Sequence, residues 1–469
     1  MSLSAALEIG KNGLRIFQLA NEVTSENIAN VNTPGYSRQR VVLESAPPTT
    51  ANGFPLGTGV QIAAVERYYD GLLQQQLVNA ETTLGFDTAK SQVLQQIEPA
   101  FNEVTNDGIG TAITNFFGAW QDLTLNPAGY LERQAVITRA NTMVDNFNFV
   151  STTLNNSITT QNAALTPMTD SLNAILKNIA QLNGQIKTTE LVNGNANEMR
   201  DQRDQLIREM SQEIGISYKE YGDGTTDVSF TDANGTYDLV KGSTAGAFSI
   251  DKTDPVSFVV QLTPAGGALT TISPTTGKLG AILAMRDTII PDYLTQVDIL
   301  AKAVVDAVNA SHSTGYNPTG DPPGQNFFTT LAAVPGAAAN IALDPGLNVN
   351  TIAASSSAAL PGDNRKALEI AHLASSKNVP FGAAATATFN NYYSSLVSKV
   401  GLDVQSAKNT VAHDEAFSKQ LSALRESNSG VSLDEELTNL IRYQRSYQAS
   451  AKLITATSEM MDVAIGLIR

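Results

Sequence analysis

The sequence predicts a mainly α protein with long terminal coiled-coil helices, a helical rod-like body and a small inserted β domain, α+β overall. Three observations indicate this class. Apolar residues near both ends alternate at spacings of four and three, and helical periodicity fills most of the interior. A period of two replaces it over one segment, 215–280. The predicted domains are therefore 1–45 plus 429–469, 46–214 plus 281–428, and 215–280, with the last outermost and partly dispensable.

Composition narrows the functional classes. The formal net charge of −15 argues against nucleic acid as a partner, because binding it needs clustered Lys and Arg. The sequence contains no cysteine, which excludes disulfides and thiolate metal sites. No run of about 18 apolar residues predicts a membrane span. The first 20 residues lack the features of a cleaved secretory signal, which predicts the cytoplasm unless export uses another route.

The N-terminal helix is predicted from a heptad seam that includes Leu7, Leu14, Phe17 and Ile28. Ser4 is expected to cap it, with Glu8 in its first turn. Because Pro34 disfavours helix at the residue before it, the helix should end near Asn32.

The C-terminal helix is predicted from a second seam that begins at Leu433. Ser432 and Glu435 have the spacing of a capping box. The predicted C-terminal interface residues are Leu437, Leu440, Tyr443, Tyr447, Ala451, Ile454, Met461 and Ile465. Neither terminal helix can bury its stripe alone. The two can pair within one chain, form a dimeric coiled coil, or become ordered against neighbouring subunits.

Between the ends, helical periodicity predicts further helices over 72–97, 109–123, 131–165, 172–191, 198–214, 278–285, 293–309 and 384–427. Asn234-Gly235 lies between two alternating runs, 228–231 and 236–240, which is a strong hairpin signal. Strands should follow at 248–250 and 258–262.

A search for catalytic chemistry finds no candidate site. His312, His372 and His413 have no metal-ligand spacing and are interpreted as surface or loop residues. The run RDQRDQ at 200–205 is interpreted as the solvated face of a helix. We therefore predict no catalytic residues, no bound cofactor and no metal site, and no enzymatic activity.

Two long motifs at opposite ends of the chain carry a family resemblance. The stretch ENIANVNTPGYSR at 26–38 resembles the N-terminal signature of flagellar rod, hook and junction proteins. The stretches 429–436 and 439–452 resemble the C-terminal signature of the same axial family. Interior segments are similar to its hook-associated branch, namely 116–123 with 126–127, 133–136, 200–206, 315–316 and 362–365.

This resemblance implies a structural subunit at the junction between hook and filament, needed for filament assembly. It also implies an N-terminal axial motif made of Asn27, Ile28, Ala29, Asn30, Asn32, Thr33, Pro34, Gly35 and Tyr36. Implied partners are other copies in a ring, the hook protein, a second junction protein toward the filament, and an export chaperone on the C-terminal helix. The implied location is the extracellular flagellum, reached by type III export without a cleaved signal. The alternatives are another axial subunit, such as a hook or distal rod protein, or a helical surface adhesin.

Overall fold

The structure is a computed structural model that describes residues 3–51, 54–103, 107–192, 194–254, 256–322, 325–360, 362–377, 379–381 and 385–466. Its α-helices are α1 (Leu3–Ala29), α2 (Gly71–Ile97), α3 (Ile109–Leu123), α4 (Tyr130–Glu190), α5 (Asn197–Glu213), α6 (Gly277–Ala284), α7 (Ile290–His312), α8 (Ala337–Asn340), α9 (Arg365–His372), α10 (Phe389–Ser429) and α11 (Leu433–Gly466). The predicted class, mainly α with a β insertion, is confirmed.

The strands are short and pair antiparallel. They are β1 (Gln39–Ser45), β2 (Thr49–Ala51), β3 (Phe54–Leu56), β4 (Val60–Arg67), β5 (Ser217–Glu220), β6 (Thr226–Asp232), β7 (Gly235–Lys241), β8 (Thr244–Ala245), β9 (Ala247–Asp251), β10 (Val259–Thr263), β11 (Thr270–Thr271), β12 (Val379–Phe381) and β13 (Ala385–Ala387). Strands β5 to β8 form a four-stranded sheet and β9 to β11 a three-stranded sheet. The β1–β4, β2–β3 and β12–β13 pairs complete the set among the described residues.

The two terminal helices pair with each other within the chain. The rings of Phe17 and Tyr443 stack with their centroids 6.5 Å apart. Toward the N-terminus of α1, a Cβ added to Gly10 would lie 2.8 Å from the Cγ1 of Ile454. The contacts move down α1 as they move up α11, so the pair is antiparallel. Glycine allows this close approach because it has no side chain.

The ends of α1 differ from the prediction. Ser4 lies inside the helix, which begins at Leu3, and therefore is not its N-cap. The helix ends at Ala29 and not near Asn32. The amide of Asn30 donates to the carbonyl oxygen of Glu26, and the backbone N–H of Thr33 donates to the carbonyl oxygen of Asn30. These bonds turn the chain before Pro34 is reached.

Helix α4 is a single helix of 61 residues where the sequence predicted two. At a rise of 1.5 Å per residue it is about 90 Å long. Pro167 lies inside it with its ring exposed. Leu165, Met168 and Leu172, on either side of the proline, are buried in one core. Packing of both flanks against the same neighbours keeps the helix continuous despite the missing N–H.

Two hydrophobic cores divide the body along α4. The first contains residues of α3, the first half of α4, α7, α9 and the first half of α10, and we call this part the far body. The second contains residues of α4 from Leu165 to Ala180, of α5, of α6 and of strands β6 to β10, and we call this part the near body. The near body contacts the segment that follows α1 through Asp201 of α5, and the end of α10 contacts the same segment through Arg425.

The β strands, which the sequence analysis placed in an outermost and partly dispensable domain, pack against helix α4. Val228, Phe230, Leu239 and other strand residues share the near core with Leu172, Leu176 and Ile179 of α4. The strands therefore cover one side of the near body. Alternation identified the hairpin correctly, but periodicity alone cannot show which helix covers the apolar face of a sheet.

Helix α10 begins later than predicted. The prediction began the helix at Ala384, which lies outside the described residues, whereas α10 starts at Phe389 after the β12–β13 hairpin. The side chain of Thr388 accepts a hydrogen bond from the N–H of Asn391 and so caps the helix. Thr388 is an N-cap residue that marks the start of α10 in the sequence, and the prediction did not use it.

Arg133 is a buried cation held by carbonyl oxygens. It is 2% exposed, and its guanidinium donates to the backbone of Pro127, Val349 and Ile352. Burial lowers its pKa to about 10, so it remains charged near neutral pH. The side chain therefore fixes the loop around 349–352 against the start of α4.

Replacing Arg133 by Met should lower the free energy of unfolding by about 3 kcal/mol, because several buried carbonyl oxygens lose their donor. Urea unfolding followed by fluorescence of Trp120, the single tryptophan, measures this in the same core. Arg139→Met, at an exposed position on the same helix, is the matched control and should change stability by less than about 0.5 kcal/mol. Equal stability of the two variants would contradict the role of Arg133.

Replacing 218–275 by a Gly/Ser linker should expose the α4 side of the near core, at about 1.5–3 kcal/mol for each uncovered Leu or Ile. We expect strong binding of a hydrophobic dye and aggregation on size-exclusion chromatography. Replacing only the exposed turn residues Ala233 and Asn234 by Gly-Gly is the control. A soluble, dye-free deletion variant would restore the view that the strands are dispensable.

Candidate functional site: the terminal helix pair and its anchor

Residues 27–39 form the segment that we call the anchor, which connects α1 to the rest of the chain. Asn27 is 1% exposed and lies at its centre. Its amide nitrogen donates to the carbonyl oxygen of Gln39 (2.9 Å) and to Oε2 of Glu436 (3.1 Å). Its amide oxygen accepts from the N–H of Gln39 and from the hydroxyl of Tyr36, each at 2.9 Å. Only an amide side chain offers two donors and an acceptor in this arrangement.

Arg38 ties the anchor to the start of α11. Its Nε donates to Oε1 of Glu436 at 2.7 Å, and its Nη1 donates to Oε2 of Glu435 at 2.6 Å. The backbone N–H of Arg38 donates to the carbonyl oxygen of Ser429, at the end of α10. Arg425 of α10 donates in turn to the carbonyl oxygen of Gly35 at 2.6 Å. The acidic first turn of α11 thus serves as a docking point for Arg38, and Glu435 makes this contact in addition to any capping role.

Asp201 of α5 fixes the anchor to the near body. Its carboxylate accepts from the backbone N–H of Ser37 (2.7 Å) and from the Ser37 hydroxyl (2.8 Å). Arg67 lies 2.6 Å from Asp201 and 2.7 Å from Asp204, and all three side chains are buried. Burial alone would lower the pKa of the Arg67 guanidinium, but Asp204 and Asp201 raise it above its ordinary value. The group therefore remains a cation.

The interpretation of RDQRDQ as a solvated face was wrong. Asp201, Arg203 and Asp204 are buried, and Arg203 donates to Asn183 and to the carbonyl oxygen of Gly224. A run of charges at spacings of three places them on one face of the helix. What the run alone could not show is that this face meets Ser37 and Arg67 from distant parts of the chain.

The predicted motif residues fall into two groups. Asn27 and Tyr36 are buried, and burial raises the pKa of the Tyr36 hydroxyl, so it stays protonated and donates to Asn27. Gly35 has φ = +83°, a conformation that glycine adopts without strain. Ile28, Asn30 and Gly35 are half-buried, and Ala29, Asn32, Thr33 and Pro34 are exposed. The buried residues hold the anchor together, and the exposed residues lie on its surface.

The predicted apolar stripe of α11 divides between two surfaces. Leu440, Tyr443, Ala451, Ile454 and Met461 are half-buried. Tyr443 and Ile454 contact α1 directly, and on α1 Leu7, Leu14 and Phe17 are also half-buried.

The other residues of the predicted stripe are exposed. Leu437 is 48% exposed, Tyr447 40% and Ile465 63%. Leu433 and Ile441, which the predicted interface did not include, are exposed beside them. We call this set the open flank: Leu433, Leu437, Ile441, Tyr447 and Ile465. The helical spacing of four residues places its first three members in one row.

The histidine prediction was wrong for His312. This side chain is fully buried, and its Nε2 accepts from the backbone N–H of Ala353 at 3.1 Å. Burial lowers its pKa to about 4, so it is neutral near pH 7. His372 and His413 are exposed. Across the part of the chain that the structure describes, no group of three or more His, Cys, Asp or Glu side chains has the arrangement of a metal site.

Comparison with known proteins identifies the family that has this architecture. Residues 94–328 match the family model described as "Flagellar hook-associated protein FlgK helical domain". The chain belongs to the flagellar hook-associated protein family. Two further models match its ends: "Flagella basal body rod protein" over residues 7–36 and "Flagellar basal body rod FlgEFG protein C-terminal" over residues 425–467. The family is one of structural flagellar components.

Relatives named Flagellar hook-associated protein 1 match along nearly the whole chain. The Bacillus subtilis protein is 28% identical, with 98% of this chain and 97% of the relative covered. The Escherichia coli protein is 27% identical, with 99% of this chain and 100% of the relative covered. The solved structure titled "The structure of the flagellar hook junction protein FlgK from Burkholderia pseudomallei" aligns with a TM-score of 0.66 over 76% of this chain and 100% of that one. Its 17% identity supports a shared fold. Among the described residues, none of the helices has the length and apolar character needed to cross a bilayer.

Asp201→Asn should loosen the anchor, because charge-assisted hydrogen bonds to Ser37 become neutral and Arg67 loses one of its two carboxylates. Such bonds contribute about 1.5–3 kcal/mol, so amide exchange at Ser37 should accelerate about ten-fold or more. Hydrogen exchange read by mass spectrometry over residues 30–40 measures this. Asp170→Asn, exposed on α4, is the control and should leave the exchange rate unchanged. Unaltered protection in Asp201→Asn would show that the carboxylate does not hold the segment.

Proposed function

We propose that this chain is the structural subunit that joins the flagellar hook to the filament and that it has no catalytic role. The observation that carries the proposal is the open flank: a terminal helix already paired within its own chain still exposes a row of large apolar side chains. Likeness over nearly the full length to relatives named Flagellar hook-associated protein 1 supports the location.

The open flank suits contact with neighbouring copies. Burying one Leu or Ile side chain contributes about 1.5–3 kcal/mol, and the same contact recurs in each subunit of an assembly. Contacts between different surfaces of identical subunits generate rings or open helical arrays. A ring of this chain would place its paired terminal helices side by side, with each open flank covered by the next copy.

The proposed partners follow from that arrangement. On one side of the ring the subunits contact the hook protein, and on the other a second junction protein toward the filament. Before assembly the open flank needs a cover, and an export chaperone bound to α11 would supply it. The chain would leave the cell through the flagellar type III pathway without a cleaved signal, and its final location would be the extracellular flagellum.

The interior of the chain favours the junction role over other axial roles. The terminal matches carry the names of rod proteins, so the ends alone fit a hook or distal rod subunit equally well. The helical body from 94 to 328 is what matches the hook-associated family. We therefore give the junction role preference over the other axial subunits and over a surface adhesin.

Leu437→Asp and Ile441→Asp should block filament assembly while the isolated protein keeps its fold. Both side chains are exposed in the single chain, so the charge costs little there but would be desolvated in the assembly. Cells with either variant should make hooks without attached filaments and should lose flagellin to the medium, as seen by electron microscopy and immunoblotting.

Thr438→Asp is the matched control, since Thr438 is exposed and polar. It should support normal filaments. Ile454→Asp would not separate an effect on assembly from an effect on folding, because Ile454 contacts α1 within the chain. Normal filaments on both the Leu437→Asp and the Ile441→Asp strains would rule out the open flank as an assembly surface.

A further inference from the structure

The near and far cores are separated by a polar layer in α4. Leu154 belongs to the far core and Leu165 to the near core. Three of the buried residues between them, Ser157, Gln161 and Asn162, are polar. Helix α4 crosses this level without interruption, and Pro167 follows Asn162 just over one turn later. An apolar seam along α4 would have joined the two cores into one.

The second helical connection is irregular at the same level. Between α6 and α7 the chain forms one π-helical turn, Met285–Ile289. The guanidinium of Arg286, in that turn, is buried and donates through Nη1 to Oδ1 of Asn162 at 2.9 Å and to the carbonyl oxygen of Phe258 at 2.6 Å. Its other nitrogens donate to Asp287. The amide of Asn162 donates to the carbonyl oxygen of Val256 at 2.6 Å.

The remaining two connections, α2 and α10, also carry small or charged residues between their core positions. In α2, Val78 packs in the near core and Val93 in the far core, and Gly85 and Asp87 lie between them. A Cβ on Gly85 would lie 2.1 Å from the carbonyl oxygen of Gln212, so α5 crosses very close to this point. Burial, together with the neighbouring carboxyl group of Asp414 on α10, raises the pKa of the Asp87 carboxyl. Asp414 lies between Ala407 of the far core and the buried Leu421.

We call this level the polar waist, defined by Gly85, Asp87, Gln161, Asn162, Arg286 and Asp414, and we propose that it is a bending joint between the near and far bodies. Interlocked apolar side chains resist displacement because small shifts open voids. Hydrogen bonds among flexible polar side chains can exchange partners as the angle between two bodies changes. Prolines and π-helical turns are the features at which helices bend. The waist contains polar hydrogen bonds and a π-helical turn, and Pro167 lies just over one turn away from it along α4. The proposal does not depend on the junction role.

Spin labels can measure the bending directly, because the chain contains no native cysteine to interfere. Labels at Lys177→Cys in the near body and Ser395→Cys in the far body span the waist, and both positions are exposed. A control pair at Asn141→Cys and Ser395→Cys lies within the far body. Pulsed electron–electron double resonance on the full chain should give a distance distribution at least twice as wide for the spanning pair as for the control pair.

Two variants should stiffen the joint. Pro167→Ala restores the backbone N–H that α4 lacks and should fold readily, because the proline is exposed on a helix. The double variant Asn162→Leu with Arg286→Met replaces both side chains of their mutual hydrogen bond by apolar groups, although the carbonyl oxygens of Val256 and Phe258 also lose a donor. Each variant should narrow the distance distribution of the spanning pair toward the width measured for the control pair. The distance distribution of the control pair should stay unchanged.

Either of two results would overturn the proposal. One is a spanning distribution in the unmodified waist as narrow as that of the control pair. The other is a wide distribution that Pro167→Ala leaves unchanged, since this variant folds whether or not the double variant does. A narrowed distribution with normal filament assembly would support the joint and leave the junction role to be judged by the open-flank variants.

Discussion

The two ends of this chain lie more than 400 positions apart in the sequence, and the side-chain amide of Asn27 holds them together. It bonds at once to Tyr36 and Gln39 of its own segment and to Glu436 at the start of α11. Neither terminal helix covers its apolar stripe alone, so the pair forms only where both helices start from a fixed point. Arg38 and Asp201 extend that point to α10, α11 and α5. The orientation of the terminal pair on the body therefore depends on one small, fully bonded cluster.

Long helices connect the anchor to the far body. Helix α10 begins in the far core and ends at Ser429, whose carbonyl oxygen accepts from Arg38. Helix α4 extends from the far core through the near core and ends next to α5, where Arg200 donates to Glu190. A force applied to the far body thus reaches the anchor along continuous hydrogen-bonded backbone. Both helices pass the polar waist, so at the joint that we propose such a force would change the angle between the near and far bodies.

Much of the fold could be predicted from the sequence because helical periodicity depends on local spacing. The terminal helices, the long interior helices and the Asn234-Gly235 hairpin all followed from it. What periodicity could not show was partnership between distant segments. The RDQRDQ run carries the same charges whether it faces water or Arg67, and the stripe of α11 has the same spacing whether α1 covers half of it or none. The helices predicted at 131–165 and 172–191 are one helix through Pro167, because the packing that offsets the local penalty of a proline comes from tertiary structure.

The glycines of α1 have a consequence for the size of an assembly. A methyl group on Gly10 would meet Ile454, and one on Gly13 would lie 2.7 Å from the hydroxyl of Ser450, so side chains of α11 pack directly on the backbone of α1. In a closed ring of identical subunits, the width of each wedge and the number of wedges together determine the circumference. The missing side chains of two glycines would then narrow each subunit of the ring that we propose and so reduce the circumference of that ring.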